Sequence, residues 1–261
     1  MNIQRLIRLA KRRIRDFRIA DVSKQSLSPA AQAALKEGSL PPASLMDLVA
    51  GTPDANWFVE SGRLGFETID EAVKRQGLNL NQFSAVLDFG CGSGRVIRHW
   101  PSQDNLTLSG CDYNPRLIAW CQDHMPHAQF QVNSIAPPLS YATGQFDLIY
   151  AFSVFTHLNA ESQLDWLNEL ARILQPGGLL MVSTHGDAYL EKLTDEKRTK
   201  YLADEVVILL PEEEGRNDCA AFDPPQAFRS LVARAHLTVL EFVPRGAKGN
   251  PYQDLWVCSK G

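Results

Sequence analysis

The sequence predicts an α/β fold: a doubly wound, mostly parallel sheet of seven strands, helices on both faces, and an antiparallel C-terminal hairpin. Three observations carry this. From residue 57 onward, short apolar runs alternate with segments of helical period, the pattern of a parallel sheet buried on both sides. The first run ends in alternating glycines. The last two runs are only about ten residues apart, too close for a helical crossover, so they pair antiparallel.

In chain order, residues 66–78 read as a helix and 84–89 as the first strand. A helix-like stretch 95–100 follows, then strand 106–111, helix 115–124 and strand 128–132. Strand 146–152, helix 160–174 and strand 179–184 come next; after a polar stretch, 187–222, helix 225–235 leads into strands 238–243 and 254–259. Two segments precede this domain of residues 57–261. Residues 1–20 place Ile3, Leu6, Ile7, Ala10, Ile14 and Phe17 at steps of three and four, giving an amphipathic helix. Residues 21–56 are Ser-, Ala- and Pro-rich, and Pro41-Pro42 reads as a helix breaker in a loop-rich lead-in.

The chain has 261 residues, 44% of them hydrophobic, with 26 Lys+Arg against 30 Asp+Glu. That excludes wholesale disorder. Five scattered cysteines read as reduced thiols, not a disulfide scaffold, and show no metal-ligand spacing. No apolar run reaches the roughly 18 residues of a membrane span, and residues 1–20 lack the apolar core of a secretory signal, so a cytoplasmic protein is expected. Residues 1–20 carry a net +6, while the remaining 241 hold 19 basic against 29 acidic side chains, a net −10. The body thus offers no electrostatic case for nucleic acid. The basic helix offers one for an anionic membrane surface or a protein partner, or it packs on its own domain with a solvated basic face.

Asp88-Phe89-Gly90-Cys91-Gly92-Ser93-Gly94-Arg95 runs a strand into three alternating glycines, where backbone amides can approach a ligand at the strand's carboxyl end. Asp112 lies 22 residues beyond Gly90, at the end of the next strand, where a carboxylate can accept both hydroxyls of a ribose. With these, Gly110-Cys111-Asp112-Tyr113-Asn114-Pro115, Phe146-Asp147-Leu148-Ile149 and Leu174-Gln175-Pro176-Gly177-Gly178 stand in order. The chain over residues 57–260 resembles the class I S-adenosylmethionine-dependent methyltransferases, whose Rossmann-like sheet carries an antiparallel strand at its edge. A nicotinamide-dependent dehydrogenase would want glycine where Arg95 stands and a second βαβαβ half in place of the hairpin.

The resemblance implies S-adenosylmethionine as cofactor and these roles. Asp88 holds the methionine ammonium, and Gly90, Cys91, Gly92 and Gly94 form the loop beneath it. Asp112 takes the ribose hydroxyls and Tyr113 covers an adenine face. Asn133 stands where an acidic residue often faces the adenine amino group, with the Ser134 or Ile135 backbone beside it. Ala151 lines the methionine arm, and Arg63, upstream of the first strand, either grips the methionine carboxylate or is a surface arginine.

For methyl transfer the enzyme must align a nucleophile and remove its proton. Two histidines fall past the fourth and fifth strands, His157 and His185. His157 is the first candidate base and His185 the second, each with a structural alternative. Tyr252, Gln253 and Asp254 either line the same cleft or are turn residues. The slot after the fourth strand reads Ala151-Phe152-Ser153-Val154, without the Asn/Asp-Pro-Pro-aromatic motif of nucleic-acid N-methylating enzymes, and no acid cluster follows for a divalent metal. Segment 187–222 reads as an acceptor lid, together with residues 21–65. The segments around Ser44–Arg63 and Asn250–Asp254 look similar to bacterial methyltransferases of surface glycans and natural products. The expected acceptor is therefore a small-molecule hydroxyl, on a sugar or other metabolite. N- or C-methylation, or a cofactor-binding scaffold acting through residues 1–20, are the alternatives.

Overall fold

The computed structural model describes residues 25–250 and 252–261. The amphipathic helix expected over residues 1–20 lies outside them. The chain divides into two compact units, one ending at Glu60 and one spanning Ser61–Gly261.

In the first unit the loop-rich lead-in expected over 21–56 is corrected. It forms helices α1 (Pro29–Lys36) and α2 (Ala43–Ala50), and α3 (Ala55–Arg75) begins before both the expected domain boundary at residue 57 and the expected helix start at residue 66. The prolines start these helices. Pro29 sits at the first helical position behind the Ser28 cap, whose side chain accepts from Ala31 N, and Pro42 immediately precedes α2, positions where a missing N–H costs nothing. Ala31, Ala34, Met46, Ala55 and Phe58 then share a small core.

In the second unit the seven-stranded sheet has the order β3-β2-β1-β4-β5-β9-β8. The strands are β1 (Ala85–Phe89), β2 (Thr107–Asp112), β3 (Gln129–Val132), β4 (Phe146–Ala151), β5 (Leu174–His185), β8 (Leu237–Val243) and β9 (Gln253–Lys260). β1 to β5 pair in parallel. β9 inserts antiparallel between β5 and β8. The expected hairpin is there, with its second strand inside the sheet and its first at the edge.

Leu87 and Phe89 face a core shared with Trp166, Leu167 and Leu170 of α5 (Ala160–Ile173) and with Phe228 and Val232 of α7 (Pro225–Arg234). The alternate residues Val86 and Asp88 face the other way. There Trp100 stacks on Tyr150 and meets Phe66 of α3 edge-on. Asp147, buried at the start of β4, accepts from Ser84 N, Ser84 Oγ and Ala85 N at 2.6, 2.8 and 3.1 Å, pinning β1 beside β4.

The expected helix 95–100 shrinks to one 3-10 turn, Ile97–His99, because Pro101 forces its predecessor out of the helical region. The polar stretch 187–222 is structured. It holds α6 (Asp195–Leu202) and a separate two-stranded sheet of β6 (Val207–Leu209) and β7 (Ala220–Phe222). α4 (Pro115–His124) completes the helices of the main sheet. Among the described residues, no helix is long and apolar enough to cross a membrane.

Candidate active site

The glycine loop leaves β1 with Gly90, Gly92 and Gly94 all at positive φ, a conformation L side chains avoid. Gly90 N and Cys91 N both donate to Cys111 O, at 2.8 and 3.0 Å, so the loop folds back over β2. At the end of β2, Asp112 closes the turn: Oδ2 accepts from Gly92 N at 3.0 Å and Oδ1 from Asn114 N at 2.8 Å. Burial raises the Asp112 pKa, and those two N–H groups oppose the rise. Each carboxylate oxygen keeps a second lone pair for a further donor.

Asp88 is 4% exposed, and its Oδ2 has no hydrogen-bond partner. Burial pushes its pKa up to about 7, against the lowering effect of the Tyr150 phenol and the Arg95 guanidinium. Arg95 is itself buried, donating to Gly249 O at 3.2 Å and Asn250 Oδ1 at 2.8 Å. A buried acceptor without a donor fits a cationic ligand group. Asn133 presents the same feature: Nδ2 donates to Ser134 O at 2.7 Å, while Oδ1 is buried without a partner. Asn133 N donates to Asp112 O at 3.1 Å, bringing the two residues side by side. Tyr113 and Ile135 next to them remain 38% and 49% exposed, available to a flat apolar ring.

Cys91 is a buried thiol on the loop, as are Cys111, Cys121, Cys219 and Cys258 in their own places. Desolvation raises its pKa well above the usual thiol range, which suits a filler and not a nucleophile. Ala151 has no exposed surface and belongs to the hydrophobic core, so it is not open to a ligand in this structure. Arg63 pairs with Glu67 one helical turn along α3. Its neighbour Gly62 shows how close that helix runs to the loop: a Cβ there would lie 1.9 Å from Arg95 O. Sequence reading found no use for Gly62.

His157 and His185 come together. His157 follows β4 in the 3-10 turn Phe155–His157, and His185 ends β5. Each ring is held the same way, Nδ1 lying 2.7 Å from Cys219 O for His157 and 3.0 Å from Ala221 O for His185. A carbonyl can only accept, so in both neutral rings Nδ1 carries the proton and Nε2 offers a lone pair. His185 Nε2 meets Gln253 Nε2 at 3.5 Å. Gln253 also donates to Ser153 Oγ at 2.6 Å and accepts from Ser183 Oγ at 2.8 Å. The His157 Nε2 has no hydrogen-bond partner among the described residues. Burial lowers both imidazole pKa values, that of His185 to about 3 with His157 and Lys192 adding to the fall.

The carbonyls that orient both rings come from β7 and the residue before it, in a segment sequence reading treated only as a lid. Backbone oxygens leave no mark in residue type. Tyr252 is exposed, while Gln253 and Asp254 are buried. Among the described residues, no group of three or more His, Cys, Asp or Glu is placed to hold a metal.

Residues 86–178 match the sequence model of a methyltransferase domain family. The chain is 30% identical over 123 residues to the mouse tRNA (carboxymethyluridine(34)-5-O)-methyltransferase, a match covering 46% of this chain and 17% of the mouse protein. It is 31% identical over 108 residues to the malonyl-[acyl-carrier protein] O-methyltransferase of Enterobacter lignolyticus, covering 41% of each. The chain thus spans well under two thirds of these relatives. A solved S-adenosylmethionine-dependent methyltransferase from Clostridium acetobutylicum superposes with a TM-score of 0.54 at 12% identity, covering 76% of this chain and 92% of that one. Residues 86–178 are thus similar to a methyltransferase domain, and the sheet around them has the fold of solved S-adenosylmethionine-dependent methyltransferases.

Proposed function

We propose that the chain transfers a methyl group from S-adenosylmethionine to a hydroxyl of a small-molecule acceptor, with His157 as general base. The observation that carries this is the His157 ring, fixed by Cys219 O with its Nε2 lone pair unclaimed.

S-adenosylmethionine supplies a methyl group already activated on a sulfonium. Asp88 would hold the ammonium, since its unpartnered buried Oδ2 needs a cationic donor. Asp112 would accept from the ribose hydroxyls and Asn133 Oδ1 from the adenine amino group, with Tyr113 and Ile135 against the ring. His157 Nε2 would take the acceptor proton, and its lowered pKa keeps it neutral and ready at pH 7. His185, bonded toward Gln253 and lowered to about 3 by burial, is then a neutral neighbour that shapes the acceptor side.

The test is calorimetric titration with S-adenosylhomocysteine, with NAD as control, followed by an acceptor screen on wild type and His157→Gln. Micromolar binding of the first ligand alone, about −8 kcal/mol, and transfer lost only in the variant are expected. No binding would overturn the cofactor assignment, and an equally active variant would overturn the base.

A second reading, an RNA acceptor, follows from the mouse relative's being a tRNA methyltransferase. The net −10 of the body weighs against it, since phosphate binding needs basic surface. Label transferred from the methyl donor into RNA, weakening steeply with salt, would favour it.

A further inference from the structure

The segment between α6 and β7 touches both halves of the site. Glu214 accepts two hydrogen bonds from Asn159, the residue just before α5: Oε1 from the backbone N at 2.8 Å and Oε2 from Nδ2 at 2.9 Å. The next residue, Gly215, donates its N–H to His157 O at 2.9 Å. Gly215 adopts φ +79°, and a Cβ on it would lie 2.5 Å from Ile135 Cδ1 and 3.8 Å from Tyr113 Cε1. Its bare backbone therefore rests directly on the two side chains assigned above to the adenine. Four residues on, Cys219 O receives Nδ1–H of His157.

One stretch of six residues thus bears on the adenine end and, at its other end, sets the tautomer of the base. We propose that Glu214–Cys219 is a single cover that closes the adenine end of the cofactor cleft and seats His157. Glu214 is its latch, a positioning residue that never touches the reacting atoms. Cofactor exchange then requires this cover to be displaced, and the Nδ1–H form of His157 depends on its being in place. This rests on the cofactor reading above.

The physical argument is one of connection. Release of Glu214 frees Asn159 and loosens the Gly215 contact with His157 O, one residue pair away. The Cys219 carbonyl, on the same strand of backbone, then loses its fixed position opposite Nδ1. A carboxylate accepting two N–H groups makes charge-assisted bonds, stronger than those between neutral groups. Nothing in an ordinary surface loop requires glycine pressed on an exposed tyrosine and isoleucine.

The experiment uses the full chain with S-adenosylhomocysteine as probe, so no acceptor is needed. Stopped-flow displacement reads the release rate of the probe. Nitrogen-15 shifts of labelled histidine at pH 8, with the His157 signal identified by His157→Gln, read which ring nitrogen bears the proton. In Glu214→Ala, release should quicken about tenfold or more, and the Nδ1–H population of His157 should fall while that of His185 stays. Glu214→Gln keeps one acceptor oxygen, guards against misfolding and should lie between. Both readouts unchanged would overturn the proposal, as would a change in one without the other. Wild type that fails to bind the probe would overturn the methyl-donor reading and the cover with it. A tautomer change surviving in Glu214→Ala would then mark a latch on His157 alone.

Discussion

The His157 ring is held by the Cys219 carbonyl at Nδ1, as His124 is by Trp120 O, but it alone of these two lies beside His185 past the ends of β4 and β5. Its Gln variant should bind S-adenosylhomocysteine as wild type does and lose about 10²–10⁴ in turnover, read by calorimetry beside a transfer assay. Because burial lowers its pKa, the acid limb of kcat/KM should fall below the ordinary imidazole value of about 6.5. Asp112→Ala should weaken cofactor binding by about 1–3 kcal/mol; unchanged calorimetric affinity would count against its ribose role. Asp223 stands immediately before Pro224 and Pro225 at the start of α7. Its carboxyl is buried, Oδ1 accepts from Gln163 Nε2 at 2.9 Å, and Oδ2 has no partner. Burial lifts its pKa to about 7, so the native state holds a proton there that the unfolded chain gives up near 3.9. Its contribution to stability therefore declines as pH rises from about 4 to about 7. Asp223→Asn should gain on wild type by about 2–3 kcal/mol between pH 5 and pH 8, measured by urea unfolding at both.

At the scale of elements, the glycine loop was legible because it combines residue type with position: glycines directly after an apolar strand announce a turn whatever surrounds it. Its backbone has no room to spare. A Cβ on Gly90 would sit 2.4 Å from Val154 Cγ2 at φ +74°, so Gly90→Val should abolish cofactor binding while the far strands keep their fold, checked by calorimetry and circular dichroism. The helices of residues 29–50 were not legible, because Pro29 and Pro42 look alike in sequence whether they start a helix or break one. Only the neighbours that bury Ala31, Met46 and Phe58 decide it. β9 was legible as a strand and as antiparallel, but not as an inner strand. Its Trp256 is fully buried, donates Nε1–H to Thr184 Oγ1 at 3.0 Å, and packs on Phe228 and Phe242. Trp256→Ala should cost about 3–5 kcal/mol of stability in chemical denaturation, an effect no edge position would give.

For the whole molecule, buried ionisable groups of opposite sense bound the pH range of stability. His185, lowered to about 3 by burial, stays neutral in the native state while the unfolded chain takes up a proton below about 6.5. Its neutral burial therefore destabilises progressively as pH falls from about 6.5 toward 3. Asp88 and Asp223, both raised to about 7, act in the other direction, their protonated forms being lost as pH rises toward 7. S-adenosylmethionine should relieve the Asp88 part, since a cation beside its carboxylate favours the ionised form. Thermal melts with and without S-adenosylhomocysteine should therefore diverge more at pH 8 than at pH 5. By itself the sequence determined the order of strands and helices in the domain, the glycine loop and Asp112, because hydrophobic period and glycine placement act locally along the chain. The tertiary structure alone decided that His157 and His185 are anchored by the nearby carbonyls of Cys219 and Ala221, that Glu214 meets Asn159 and Gly215 lies against Ile135 and Tyr113, and that β9 runs inside the sheet. Those contacts join segments far apart in sequence, several of them through backbone atoms that every residue possesses, so no pattern of side chains could have announced them.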